Sequence, residues 1–340
     1  FVAIKILTGA ATVVARPQHA WELQTLYRIL SPPNAHCLRI LSHFTLPGKG
    51  SSGDHICLVT QILGGSLIGL FRAYNGPTLP LPLTKRILLH TLRGVAHAHS
   101  RGVVHTDLSF EAIFLDNCMS NSDIDDLLES DPSRRYPPEE SYDGRMQAAV
   151  SQPLPVPTLQ EAMQRTFILA NSAVVTLPIG ASIDEIHSWD NLRPPENFIR
   201  GPWDKPVDIW SFGCLIFELV TDLPLFNFEP WPPLNLDEPN YILWQMMSYT
   251  GERFLPEQLN DSQRAIVFFD GETCRFRRSD PPLCQDYIER CIRRCKNVVE
   301  EEDIISTAAM IRWCLRLDPA NRPSAAELLT DPWFAGVDPV

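Results

Sequence analysis

A glycine pair, Gly64-Gly65, divides this 340-residue chain into two parts with different periodicities. Ahead of it, apolar residues come in short runs suited to a half-buried sheet: Val2, Ala3, Ile4 and Ile6, then 36–44, then 54–62. The last two runs are separated by the turn-rich PGKGSSGD. One stretch, 18–31, places Trp21, Leu23, Leu26, Ile29 and Leu30 near helical spacing and predicts a helix after the first strand. Behind the glycines the spacing turns helical. Residues 83–100 (LTKRILLHTLRGVAHAHS) predict an amphipathic helix, 208–219 a buried one, and 303–317 and 324–330 close the chain. The expected fold class is α+β and bilobal: a small β-rich lobe over 1–62 and a large helical lobe over 63–336. The polar, Pro- and Ser-containing stretch 118–160 reads as a flexible insertion in the second lobe.

Composition narrows what such a chain can do. At 44% hydrophobic residues it buries a sizeable core, which excludes disorder over its whole length. The longest apolar run, 209–217, stops at Glu218, well short of the roughly 18 residues a membrane span requires. With 29 Lys+Arg against 41 Asp+Glu, the formal charge of −12 argues against general nucleic-acid binding and suits a basic partner. Nine cysteines at irregular spacing give neither a zinc pattern nor an even disulfide framework, and read as reduced thiols of an intracellular protein. The first 20 residues superficially suggest a signal peptide. Lys5 interrupts the apolar run and Thr8-Gly9 break it again, so a strand is the better reading.

The chemistry-bearing residues lie at both ends of the chain and at its centre. Val2-Ala3-Ile4-Lys5 forms a strand with one lysine, and the next helix supplies Glu22 to pair with it. After the helix 83–100 comes Val103-Val104-His105-Thr106-Asp107-Leu108, and further on Arg193-Pro194-Pro195-Glu196, Val207-Asp208-Ile209-Trp210-Ser211-Phe212-Gly213 and Leu317-Asp318-Pro319-Ala320-Asn321-Arg322-Pro323. In this order these elements resemble the protein kinase superfamily: the V-A-I-K strand, the catalytic loop, the A-P-E element, the helix anchoring the large lobe and the terminal subdomain. Thr106 in place of the usual arginine resembles the H-T-D loop of SR-protein kinases. Asp54-His55-Ile56-Cys57-Leu58-Val59 is also similar to that group, and the insertion resembles its filamentous-fungal members.

The resemblance implies roles residue by residue. Asp107 would orient the substrate hydroxyl or take its proton. Lys5, held by Glu22, would meet the nucleotide phosphates. Thr60 would be the gatekeeper, with backbone groups of Gln61 and Leu63 facing the adenine and Ala3 and Phe114 sandwiching it. Asp208 would hold the catalytic-loop backbone, and Glu196 and Arg322 would form a buried ion pair. ATP and Mg²⁺ are the implied cofactors, an Arg/Ser-rich protein the implied substrate or client. A monomer, in cytoplasm or nucleus and without nucleic-acid or membrane binding, is the implied setting.

At several positions the sequence departs from the family pattern. Ala112 stands where the metal-binding asparagine belongs, and Ser109 where a lysine neutralises the transferring phosphoryl group. The D-F-G element is replaced within FILANSA: without a gap Leu169 takes the aspartate position, and with a two-residue gap Asn171 does. Neither supplies a carboxylate; Glu111 is the neighbouring acid that could stand in. The Gly-rich phosphate loop would precede Phe1, so either the chain is a fragment or the small lobe is genuinely shortened, and a truncated sequence is the favoured expectation. Mg²⁺ prefers anionic oxygen ligands, and phosphoryl transfer rests on positioning and charge. Two readings therefore stand: a serine/threonine kinase with impaired chemistry, or a pseudokinase acting as a protein-binding scaffold.

Overall fold

The computed structural model describes residues 1–14, 21–48, 53–74, 76, 78–141, 144–152, 154–170, 175–176, 192–279, 281–284, 286–295 and 300–338. The first part of the chain builds an antiparallel sheet in the order β1-β3-β2 from β1 (Ala3–Ile6), β2 (Ile40–Leu46) and β3 (His55–Thr60). Helix α1 (Gly9–Val14) follows β1, and α2 (Trp21–Ile29) packs behind the sheet. The run predicted as a strand over 36–44 enters the sheet only at Ile40. Ahead of it His36 and Leu38 exchange backbone hydrogen bonds with Leu169 instead. Leu26, Ile29, Cys37, Ile40 and Leu58 form a small core that reaches Ala98 and Val103 in the second part of the chain.

The helical part begins with β4 (Leu63–Ser66) and α3 (Leu67–Ala73), whose N-cap Ser66 accepts a hydrogen bond from the Gly69 N–H. Helix α4 (Leu81–Ser100) starts on a proline pair of sites that needs no N–H donors, and buries Leu83, Ile87, Leu88, Leu92 and Val95 along one face. Short strands β5 (Val103–Val104) and β6 (Ile113–Asp116) follow it. Within 118–160 lie α5 (Asn121–Ser130), closed by a Ser120–Asp123 capping box, and the hairpin β7 (Glu139–Ser141) and β8 (Gly144–Met146). The helix of this stretch buries none of its residues.

After α6 (Leu159–Ala162), β9 (Phe167–Leu169) pairs antiparallel with β6, and β10 (Val175–Thr176) with β5. The remainder is helical: α7 (Pro195–Ile199), α8 (Pro206–Thr221), α9 (Glu238–Thr250), α10 (Pro256–Asn260), α11 (Ala265–Phe268), α12 (Tyr287–Arg294), α13 (Glu301–Cys314) and α14 (Ala325–Leu328). Helix α8 is buried on every side from Val207 to Thr221, which explains why its sequence is apolar with little periodicity. Around it, Trp210, Phe226, Tyr249 and Tyr287 stack in series with centroids 5.5, 5.8 and 4.3 Å apart. No helix among the described residues is long and apolar enough to cross a membrane.

Candidate active site

The loop after α4 is shaped by a single buried carboxylate. Asp208, near the N-terminus of α8, accepts the His105 N–H at 2.7 Å, the Thr106 N–H at 2.8 Å and His99 Nε2 at 2.8 Å. Burial pushes the Asp208 carboxyl up, but the His99 hydrogen bond and the neighbouring imidazoles outweigh it and hold the group below the usual carboxylate range. The two amides it receives flank an unfavourable turn. Thr106 sits at φ 65°, a left-handed conformation costly for a β-branched residue, and Asp208 holds that residue's N–H. His105 is fully buried beside it. Burial lowers its pKa, against the opposing pull of Asp208 and Asp107.

Asp107 follows directly and is half-buried. From there the chain passes Ser109, itself buried, into a single 3-10 turn over Phe110–Ala112. Ala112 is buried, its N–H bonded to the Ser109 carbonyl and its carbonyl accepting the Ala170 N–H, while Glu111 on the same turn is exposed. At the position where the family places an amide, the structure therefore has a methyl group in the interior. No cluster of three or more His, Cys, Asp or Glu side chains that could hold a metal ion occurs among the described residues. Of the two positions where the resemblance places Mg²⁺ ligands, Ala112 offers only a buried methyl, which carries no oxygen.

Of the two sequence alternatives for the D-F-G aspartate, the structure describes Leu169. Leu169 lies inside β9, opposite Ile113, with its N–H on the His36 carbonyl. Its side chain belongs to the large core, in contact with α4 at Gly94. A Cβ on Gly94 would sit 2.7 Å from the His36 oxygen and 3.2 Å from Leu169 Cβ, so the glycine permits this close crossing. Leu169 is thus a core residue. Asn171 falls outside the described residues.

The nucleotide-side candidates are spread over the sheet and its connection to α3. Lys5 Nζ meets Glu22 Oε1 at 2.6 Å, linking β1 to α2 as expected, though half of the lysine side chain is exposed. Ala3 faces Thr60 across β1 and β3 in register. The Gln61 N–H is engaged by the Arg39 carbonyl, and its own carbonyl accepts from the Thr60 hydroxyl. Leu63 pairs with Asp116, and the adjoining Gly64 lies so close to β6 that a Cβ there would be 2.7 Å from the Asp116 oxygen. On β6, Ile113 and Leu115 point into the core while Phe114 is only half-buried, the alternation expected of a strand with one face on the core.

Below the loop, Arg322 reaches Glu196 with both terminal nitrogens at 2.7 Å, and both side chains are almost wholly buried. Arg322 also donates to the Arg316 and Pro206 carbonyls and lies over the Trp210 ring at 5.1 Å. Sequence reasoning predicted this pair and the role of Asp208. It missed His99, whose contribution has no sequence signal beyond its place in the last turn of α4.

Comparisons with known proteins agree with this geometry. The family model described as protein kinase domain matches residues 182–334. The serine/threonine-protein kinase SRPK of Physarum polycephalum is 25% identical over 99% of this chain and 80% of its own length. The Arabidopsis thaliana serine/threonine-protein kinase AFC2 is 26% identical over 83% of this chain and 60% of its own. The human dual specificity protein kinase CLK1 is 23% identical over 92% of this chain and 56% of its own. A crystal structure of a kinase domain superposes with a TM-score of 0.64 over 98% of this chain and 87% of that one, at 19% identity. With its anchoring carboxylate, buried Glu196–Arg322 pair and Lys5–Glu22 bridge in the expected places, the chain has the protein kinase fold and is similar to SRPK- and CLK-type serine/threonine kinases.

Proposed function

We propose that this chain is an SRPK-like kinase-family module that binds a basic, Arg/Ser-rich protein and is impaired in phosphoryl transfer, acting mainly as a pseudokinase scaffold. The observation that carries this reading is Ala112. Its buried methyl occupies the position where a metal-binding amide is required, and Ser109 in place of the lysine removes a second source of charge stabilisation. Transfer of a phosphoryl group depends almost entirely on such positioning and charge. In this reading 1–62 and 63–336 act as the two lobes. Lys5 would still meet nucleotide phosphates and Gln61 would still offer its carbonyl to an adenine, so ATP binding independent of Mg²⁺ is compatible with the residues present. The formal charge of −12 favours an arginine-rich client.

Two measurements on the full-length protein test this. ATP is expected to raise the thermal midpoint equally with and without Mg²⁺, and an Arg/Ser-repeat peptide is expected to bind without being phosphorylated above an Asp107→Asn control. Robust transfer that disappears in that control would establish an active kinase instead. An unchanged midpoint under both conditions would remove nucleotide binding from the proposal.

A further inference from the structure

Away from the candidate active site, three basic side chains on one face of α4 converge on a single carboxylate. Arg86, His90 and Arg93 stand four and three residues apart, so the helix presents them together. Arg86 Nη1 donates to one oxygen of Asp338. Arg93 Nη1 donates to the other at 2.6 Å, and His90 Nε2 reaches that same oxygen at 3.1 Å. The Arg86 fork is further steadied by the Arg165 carbonyl, and Arg165 in turn by Asp116. His90 is 2% exposed, whereas Arg93 and Asp338 are 31% and 26% exposed, so the site has a fixed floor and an open rim.

The floor is wired to the strand entering the D-F-G region. His90 Nδ1 accepts the Phe167 N–H at 3.1 Å, which leaves the ring proton on Nε2, directed at Asp338. The His36 ring packs on His90 at 4.4 Å and hydrogen-bonds the Phe167 carbonyl. The carboxylate on one side of His90 and the backbone of β9 on the other thus share one imidazole.

We propose that Arg86, His90 and Arg93 form an oxyanion-binding site whose resident ligand is the Asp338 carboxylate, and whose occupancy holds β9 in place through His90. Guanidinium forks match carboxylates and phosphates alike, and emptying the site leaves two cations and a buried imidazole donor facing one another. The site therefore accepts an external oxyanion once Asp338 is withdrawn.

The test compares wild-type protein with Asp338→Ala in chloride, acetate and inorganic phosphate at matched ionic strength. Thermal midpoint and hydrogen exchange at the Phe167 amide are the two readouts. In chloride, Asp338→Ala is expected to melt lower and to exchange Phe167 at least tenfold faster. Acetate or phosphate is expected to reverse both changes saturably, with no matching response in wild type. Rescue by acetate identifies a carboxylate site, and rescue by phosphate alone a site for phosphate or a phosphorylated side chain. The absence of anion-specific rescue would overturn the proposal, as would equal rescue in an Arg86→Gln/Arg93→Gln/Asp338→Ala variant. Should Asp338→Ala fail to fold in chloride, recovery of folding on adding acetate or phosphate, read by circular dichroism, serves under the same criteria.

Discussion

Two adjoining regions of the large lobe have fared differently. In the anchor region, formed by α7, α8 and Arg322, the three predicted charges are present and partnered: Asp208 holds two loop amides and His99, and Glu196 holds Arg322. In the loop it supports, 105–116, the backbone includes the strained Thr106, and under the proposed reading Ser109 and Ala112 stand where phosphoryl transfer uses a lysine and an asparagine. The difference separates two demands that the kinase fold ordinarily meets together. Buried charges of the anchor cannot be lost singly without leaving an uncompensated partner in the interior. A ligand at the cleft can be lost without that penalty, because its partner is a metal or nucleotide rather than a piece of the fold.

Breaking the anchor should have the largest effect. Arg322→Ala is expected to destabilise the protein by about 3–5 kcal/mol, since it strands Glu196 in the core, and urea unfolding measures this directly. A Glu196→Gln/Arg322→Met variant should recover part of the loss; no recovery would mean that the cost lies in packing on Trp210 instead.

Second in size is a pH effect from the α4 face. Burial lowers the His90 pKa to about 4 from 6.5, against the opposing hydrogen bond it donates to Asp338. Between those values the unfolded chain binds more protons than the folded one, so stability falls as pH drops through this window, by up to about 3 kcal/mol, and His90 contributes no further change below it. Asp338, held well below the usual carboxylate range despite its partial burial because Arg93, His90 and Arg86 donate to it, adds a loss of the same sign at still lower pH. A His90→Gln variant should flatten the profile between pH 6.5 and 4 in equilibrium unfolding.

The smallest expected effect is at Lys5. Its bridge to Glu22 is half exposed, so Lys5→Ala should change stability by no more than about 0.5 kcal/mol, while weakening any ATP-dependent rise in the thermal midpoint. A large stability loss would place Lys5 in the anchor class and blur the contrast between the two regions.

Much of this was readable from residue order because the relevant elements are local. The strand–lysine, the loop after a long amphipathic helix and the apolar α8 each announce themselves through spacing, whereas the Gly64-Gly65 break in the pattern falls inside β4. Other features resisted such reading. That Leu169 packs in the core could be seen only from the pairing of β9 with β6, which turns that side chain inward. The stretch 118–160 looked like a polar insertion, and its polarity hid a capped helix because that helix buries nothing and so carries no core signature.

The sequence alone determined the types of charge available and the order of the elements that carry them, since both depend on residue identity and local periodicity. Only the tertiary structure decided which charges meet. Arg86 and Asp338 are 252 positions apart, and Glu196 and Arg322 are 126 apart. The second pair could be anticipated by family resemblance, the first by nothing. The physical reason is that a carboxylate's partner is set by which surfaces the core brings together, and the packing of α4 against β9 and the 3-10 turn near Phe334 is a property of the whole chain rather than of any segment.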